Sequence, residues 1–192
     1  MAETALAASR TDRRVPPLLV GTILFLASEL MFFGGLFASY FTLRAQTHPW
    51  PPLGVSLGVP LVGAATVLLV LSSFTMQAGI AGLRRGSLPS MRRWVWASFV
   101  LGAAFVALQL FDYSRLDFRV SSNAYGTIFY AMTGFHALHV IVGLLLMLIL
   151  LGRAAQGAYA KGEYTGAEAV SYYWHFVDAV WIGLFATIYL IR

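Results

Sequence analysis

Five ionisable side chains stand inside long apolar runs, where each needs a physical reason to be there. They are Glu29, the pair His136 and His139, His175 and Asp178. A charged group at mid-bilayer depth costs roughly 2.5–3.5 kcal/mol on insertion scales, so such residues are paired, neutral or functional. Glu29 lies in Thr22-Ile23-Leu24-Phe25-Leu26-Ala27-Ser28-Glu29-Leu30-Met31-Phe32-Phe33. Its chemistry there is either that of a neutral carboxyl bonding two helices together or that of a proton-relay or lipid-contact site. His136 and His139 are three apart and share one helix face. That spacing suits a metal ion or a haem iron. A stable metal site, however, wants three or four ligands, and a bis-histidine haem needs histidines on two facing helices. The chain has four histidines in all, and His48 falls in a loop. His175 and Asp178 are also three apart, and Trp174, Asp178 and Trp181 form one stripe at helical spacing. Asp178 reaches a depth similar to that of His136 and His139, so a His–Asp bridge between the last two helices is expected. A buried pair of that kind fixes register more than it adds stability.

The elements that must position these groups are long and apolar. The chain has 192 residues, 59% hydrophobic and 11% charged, against about 25% charged in soluble domains. A spanning helix needs about 20 apolar residues. Five stretches satisfy this, at about 15–43, 56–83, 94–111, 125–152 and 169–191. The fold class is therefore all-α, an integral membrane bundle of five transmembrane helices, preceded by a polar tail at 1–14. The tail lacks the features of a cleavable signal, and the run after it is longer than a signal-peptide core. Connections are short: an extended segment His48-Pro49-Trp50-Pro51-Pro52, a turn at 84–89, a polar stretch at 112–123 and another at 156–164. No internal repeat supports an inverted-repeat transporter.

Net charge is +5, but the basic residues sit in short clusters between apolar runs. That is a topology signal and excludes nucleic acid as a partner. Arg10, Arg13, Arg14, Arg84, Arg85, Arg92, Arg93, Arg153 and Lys161 share one side; Arg44, Arg115, Arg119 and Arg192 share the other. The excess of Lys and Arg places the N-terminus in the cytoplasm and the C-terminus outside. Arg153 and Glu168 fall at the cytoplasmic ends of the last two helices, snorkelling to the interface or holding a lipid phosphate. Gly34/Ala38, Gly35/Ser39 and Ala78/Gly82 are small residues four apart, expected at close helix contacts. Trp50, Trp94, Trp96, Tyr113, Tyr125 and Tyr164 fall near predicted ends, as interfacial belts do. The absence of cysteine excludes disulfides, iron–sulfur clusters and thiolate copper sites.

Three segments carry a resemblance. Ser28-Glu29-Leu30-Met31-Phe32-Phe33, the pair of blocks Tyr125-Gly126 and Gly134-Phe135-His136-Ala137-Leu138-His139-Val140-Ile141-Val142-Gly143, and Tyr173-Trp174-His175-Phe176-Val177-Asp178 occur in one order. Together they resemble subunit III of the haem–copper cytochrome c oxidases, over about 16–192, in a short five-helix bacterial form. The resemblance implies a chain without haem or copper, those groups being held by partner subunits. It implies direct packing on subunit I, with subunit II and cytochrome c in the same complex, structural phospholipids, and support of sustained proton uptake in a bacterial plasma membrane. By the same resemblance Glu29 matches a carbodiimide-reactive glutamate, Arg153 a lipid-contacting arginine and Glu168 a glutamate upstream of the last motif. Asp112 stands where many members have glutamate. The longer members carry two more helices, so the lipid cleft those helices help form is in question here. Rival readings are the corresponding subunit of a quinol oxidase or nitric oxide reductase, an independent proton-coupled transporter using Glu29 and Asp178, and a membrane cytochrome b.

Overall fold

A computed structural model describes residues 16–159, 162 and 164–191. The N-terminal tail at 1–14, Lys161 and Arg192 lie outside the described residues. Every regular element among those described is helical: α1 (Pro17–Gln46), α2 (Val59–Arg84), α3 (Leu88–Ser114), α4 (Ala124–Ala155) and α5 (Thr165–Phe185), the last continued by a π-helical turn (Ala186–Leu190). All five are long and apolar enough to cross a membrane. Proline falls in the first turn of α1, α2 and α3, where its missing N–H costs nothing. Asn123 caps α4, its Oδ1 accepting from the Gly126 N–H at 2.7 Å.

The packing order follows from side-chain size. α2 and α3 form a tight hairpin, because Gly79 and Gly82 let α3 approach: a Cβ on Gly82 would lie 2.9 Å from Ser90 Oγ, and one on Gly79 3.1 Å from Val95 Cγ2. α5 is the central element: it packs against α1, α2 and α4, and its Trp174 and Trp181 reach Gly102 and Phe105 of α3. α1 packs mainly against α4 and α5, through residues such as Phe33 and Tyr40, and most of its surface is open.

Several expectations are corrected here. The third helix begins at Leu88, not 94, because Arg92 and Arg93 are exposed on its first turns; arginine at an interface does not end a helix, since its stem lies along the apolar surface. Asp112 belongs to α3 and is buried, not part of a polar loop. Gly34, Gly35, Ala38 and Ser39 are exposed, and nothing within the chain approaches either glycine. Tyr125 and Trp50 turn inward instead of lining a belt. Trp50 stacks edge-on against Tyr40 and Tyr125, with centroids 5.4 and 5.0 Å apart, and its indole N–H donates to the Tyr40 hydroxyl at 3.2 Å. Tyr40 in turn donates to the Thr187 carbonyl at 3.3 Å. The proline-rich segment is thus tied to α1 and to the end of α5.

Candidate functional site

The mid-membrane polar residues form two separate constructions. The first joins α1 to α4. Glu29 and His139 meet with Oε2 and Nε2 3.0 Å apart. His139 Nδ1 lies 2.7 Å from the Phe135 carbonyl. A carbonyl only accepts, so Nδ1 carries a hydrogen. Nε2 then either accepts from a protonated Glu29 or, in the imidazolium, donates to its carboxylate. In both arrangements the pair has no net charge, which removes most of the penalty that either group alone would bring at that depth. Phe33 covers the imidazole edge-on at 5.2 Å. Tyr173 of α5 donates to the His139 carbonyl at 3.0 Å and stacks on Phe25, so three helices converge on the pair.

The second construction holds α5 against α2. The indole N–H of Trp174 donates to Ser72 Oγ and that of Trp181 to Thr66 Oγ1, each at 2.9 Å. Two such bonds, roughly two helical turns apart on each helix, fix an antiparallel register. Trp174 also fills the space opposite two glycines: a Cβ on Gly102 of α3 would lie 2.7 Å from its Cη2, and one on Gly143 of α4 2.6 Å from its Cε3. One side chain therefore keys four helices together. The stripe of Trp174, Asp178 and Trp181 is buried. The glycines carry no motif signal of their own; Gly143 closes the Gly134–Gly143 block, but only its distance to the indole shows its use.

The expected His–Asp bridge between α4 and α5 does not form. His136 is fully buried against Trp181 and Phe105, with ring centroids 4.8 and 5.9 Å away, and neither nitrogen makes a hydrogen bond. Asp178 lies beside Ser73 of α2 and His175 of its own helix. His175 Nε2 is 3.4 Å from Gln77 Oε1. The reason is that α5 has α2 as well as α4 for a neighbour, and Asp178 faces α2. His136 and His139 also diverge, one into the core and one toward α1. Among the described residues no three His, Asp or Glu side chains gather as a metal-binding group.

An apolar cleft of about 580 Å³ runs between α1, α4 and α5, bounded by residues that include Leu18, Phe25, Val142 and Tyr173. It adjoins a second cavity of about 360 Å³ that contains Arg153 and Tyr159; Leu18, Leu146, Gly166 and Val170 line both. The combined space leads from Arg153 to Phe25, one helical turn from Glu29. Glu168 does not line it. Its carboxylate instead accepts from Arg84 of α2 at 2.7 Å.

This is a polytopic membrane bundle in which Glu29 and His139 join two helices and two tryptophans tie α5 to α2. Comparison with known proteins makes the assignment specific. Residues 1–191 match the family described as cytochrome c oxidase subunit III. The chain is 50% identical to a probable cytochrome c oxidase subunit 3 of Nocardia farcinica, over 90% of this chain and 87% of that one. It is 44% identical to a cytochrome c oxidase subunit 3 of Corynebacterium diphtheriae, with the same coverage. Against a cytochrome c oxidase subunit 3 of Thermostichus vulcanus it is 38% identical over 98% and 94%. The chain belongs to the cytochrome c oxidase subunit III family, and so to a respiratory oxidase complex.

Proposed function

We propose that this chain is the cofactor-free third subunit of a proton-pumping cytochrome c oxidase in a bacterial plasma membrane. It packs on subunit I, holds phospholipid beside it and sustains proton uptake. Subunits I and II carry electrons from cytochrome c through haem and copper to oxygen. The observation that carries the reading is the cleft between α1, α4 and α5: an apolar channel of acyl-chain character with a cation, Arg153, at its mouth. Arginine recognises a phosphate oxygen pair by its planar fork. Glu168, at the same end, pairs with Arg84 at 2.7 Å and so holds a second cation near Arg153's end of the bundle. Glu29, paired with His139, lies one helical turn beyond Phe25 at the far end of the cleft.

Two further features support the partner and the orientation. The small-residue face of α1, exposed in this chain, suits close approach by a helix of another subunit. Of the described basic residues, Arg84, Arg85, Arg92, Arg93 and Arg153 sit at one end and Arg44, Arg115 and Arg119 at the other, in keeping with a cytoplasmic Arg153 end. Arg153→Ala in the purified complex, with bound lipid measured by native mass spectrometry, tests the lipid role. The expected result is loss of retained phospholipid and faster decay of turnover from an unchanged initial rate. Lipid content and decay equal to wild type would contradict it.

A further inference from the structure

The cavity at the Arg153 end has a wall that holding an acyl chain does not require. α4 ends in a turn at Gly157, whose φ of 76° a residue with a side chain rarely adopts. The Ala158 N–H closes that turn by donating to the Arg153 carbonyl at 3.1 Å, as helix C-terminal caps do. The turn brings Tyr159 back against the bundle, where it is 6% exposed. Tyr159 lines the same cavity as Arg153. Its hydroxyl lies against the first turn of α5: a Cβ on Gly166 would be 4.0 Å from it. That hydroxyl closes no hydrogen bond among the described residues, although a buried hydroxyl ordinarily has a partner.

The first turn of α5 faces the cavity from the other side. Thr165 and Gly166 line it, and no side chain caps the helix start at Tyr164. The first N–H groups of a helix have no intrahelical partner, and the helix dipole adds about half a positive charge there. An oxyanion is the ordinary occupant of such a place. The described side chains that line the cavity include one cation, Arg153, and no carboxylate. Glu168, the acid of that first turn, is held by Arg84 at 2.7 Å. A phosphate in the cavity therefore meets hydrogen-bond donors and positive charge, while an ammonium group beside it would meet a like charge and no carboxylate.

We propose that Arg153, the Tyr159 hydroxyl and the first turn of α5 form a headgroup site for a phosphate diester without an ammonium group, so that the cleft takes an anionic glycerophospholipid in preference to a zwitterionic one. This rests on the lipid-holding reading above and narrows it to a headgroup class. Arg153 supplies the charge, the Tyr159 O–H donates to a phosphate oxygen, and the α5 amides face the same group. The apolar cleft that continues from the cavity takes an acyl chain of the same molecule.

The test places the purified complex in nanodiscs of equal parts phosphatidylglycerol and phosphatidylethanolamine, releases it in mild detergent and reads the retained lipid by native mass spectrometry. The wild type is expected to keep phosphatidylglycerol several-fold over phosphatidylethanolamine. Tyr159→Phe keeps the ring and removes only the hydroxyl. It is expected to retain about tenfold less phosphatidylglycerol, the factor carried by one hydrogen bond to a charged group, with the subunit's thermal retention unchanged. Arg84→Gln, which frees the Glu168 carboxylate on that turn, is expected to narrow the preference. Excess inorganic phosphate is expected not to displace the lipid; phosphate bound in its place overturns the assignment to a lipid headgroup. Equal retention of the two lipids by the wild type, or undiminished phosphatidylglycerol in Tyr159→Phe, overturns the inference. If Arg153→Ala still loses lipid in that case, the lipid-holding reading stands without it. A wild-type complex that keeps neither lipid overturns both.

Discussion

Substituting Gly143 by alanine should loosen the bundle at its most crowded point. The added Cβ would lie 2.6 and 2.7 Å from Cε3 and Cζ3 of Trp174, whereas carbon atoms rest about 3.5–4.0 Å apart. The indole has no retreat, because the Gly102 side is already at 2.7 Å from an equivalent Cβ position and the N–H is fixed on Ser72. Overpacking of a filled core costs about 1–3 kcal/mol. Breaking the Trp174–Ser72 bond adds about 0.5–1.5 kcal/mol, and alanine returns about 1 kcal/mol through its better helix propensity. The net loss is about 0.5–3.5 kcal/mol, or on the order of 5 °C in the melting of a chain this size. Thermal retention of the subunit in the purified complex is the assay. Gly134→Ala, which meets nothing within 4 Å, is the control and should be neutral or slightly stabilising. Trp174→Phe combined with Gly143→Ala should recover part of the loss, since the smaller ring can move. If Gly143→Ala melts with wild type, or if the smaller ring brings no recovery, the keying role of Trp174 is wrong.

Glu29→Leu should cost about 1–3 kcal/mol by leaving His139 Nε2 without a partner, while Glu29→Gln, which keeps a hydrogen-bonding group, should cost under about 1 kcal/mol; equal retention of the two variants in the complex would refute the pairing. Thr66→Val should destabilise by about 1–3 kcal/mol because the Trp181 N–H loses its acceptor, and Thr66→Ser should not, as read by the same thermal assay.

The helices were the most legible part of the chain, since an apolar run of spanning length has no other stable solution in lipid. Their ends were less so. Arg92 and Arg93 suggest a boundary, because charge ordinarily marks the edge of the membrane, yet both are accommodated on the first turns of α3. The polar residues that mattered stood out by type and depth, but their partners did not. Glu29 and His139 were both singled out from sequence, and only the structure pairs them, because spacing along one helix says nothing about which neighbour it turns toward. Asp178 illustrates the same limit: α5 is surrounded by the other helices, and Asp178 faces α2, not α4. Gly102, Ser72 and Thr66 were invisible for a different reason. Small residues abound in membrane helices, and their role is defined only by the tryptophan that fills the space they leave. Asp112 reads as a loop residue because an isolated carboxylate at the end of an apolar run resembles a boundary, yet it is buried on α3.

The central claim is that this chain supports a redox-active neighbour and binds no redox group of its own. Purifying the oxidase with and without this subunit, and measuring haem and copper content, initial turnover with cytochrome c and the decay of that turnover, tests it most directly. The account predicts equal haem and copper and an equal initial rate, with turnover failing sooner when the subunit is absent. Loss of haem or copper along with the subunit, or a haem spectrum from the isolated chain, would contradict it.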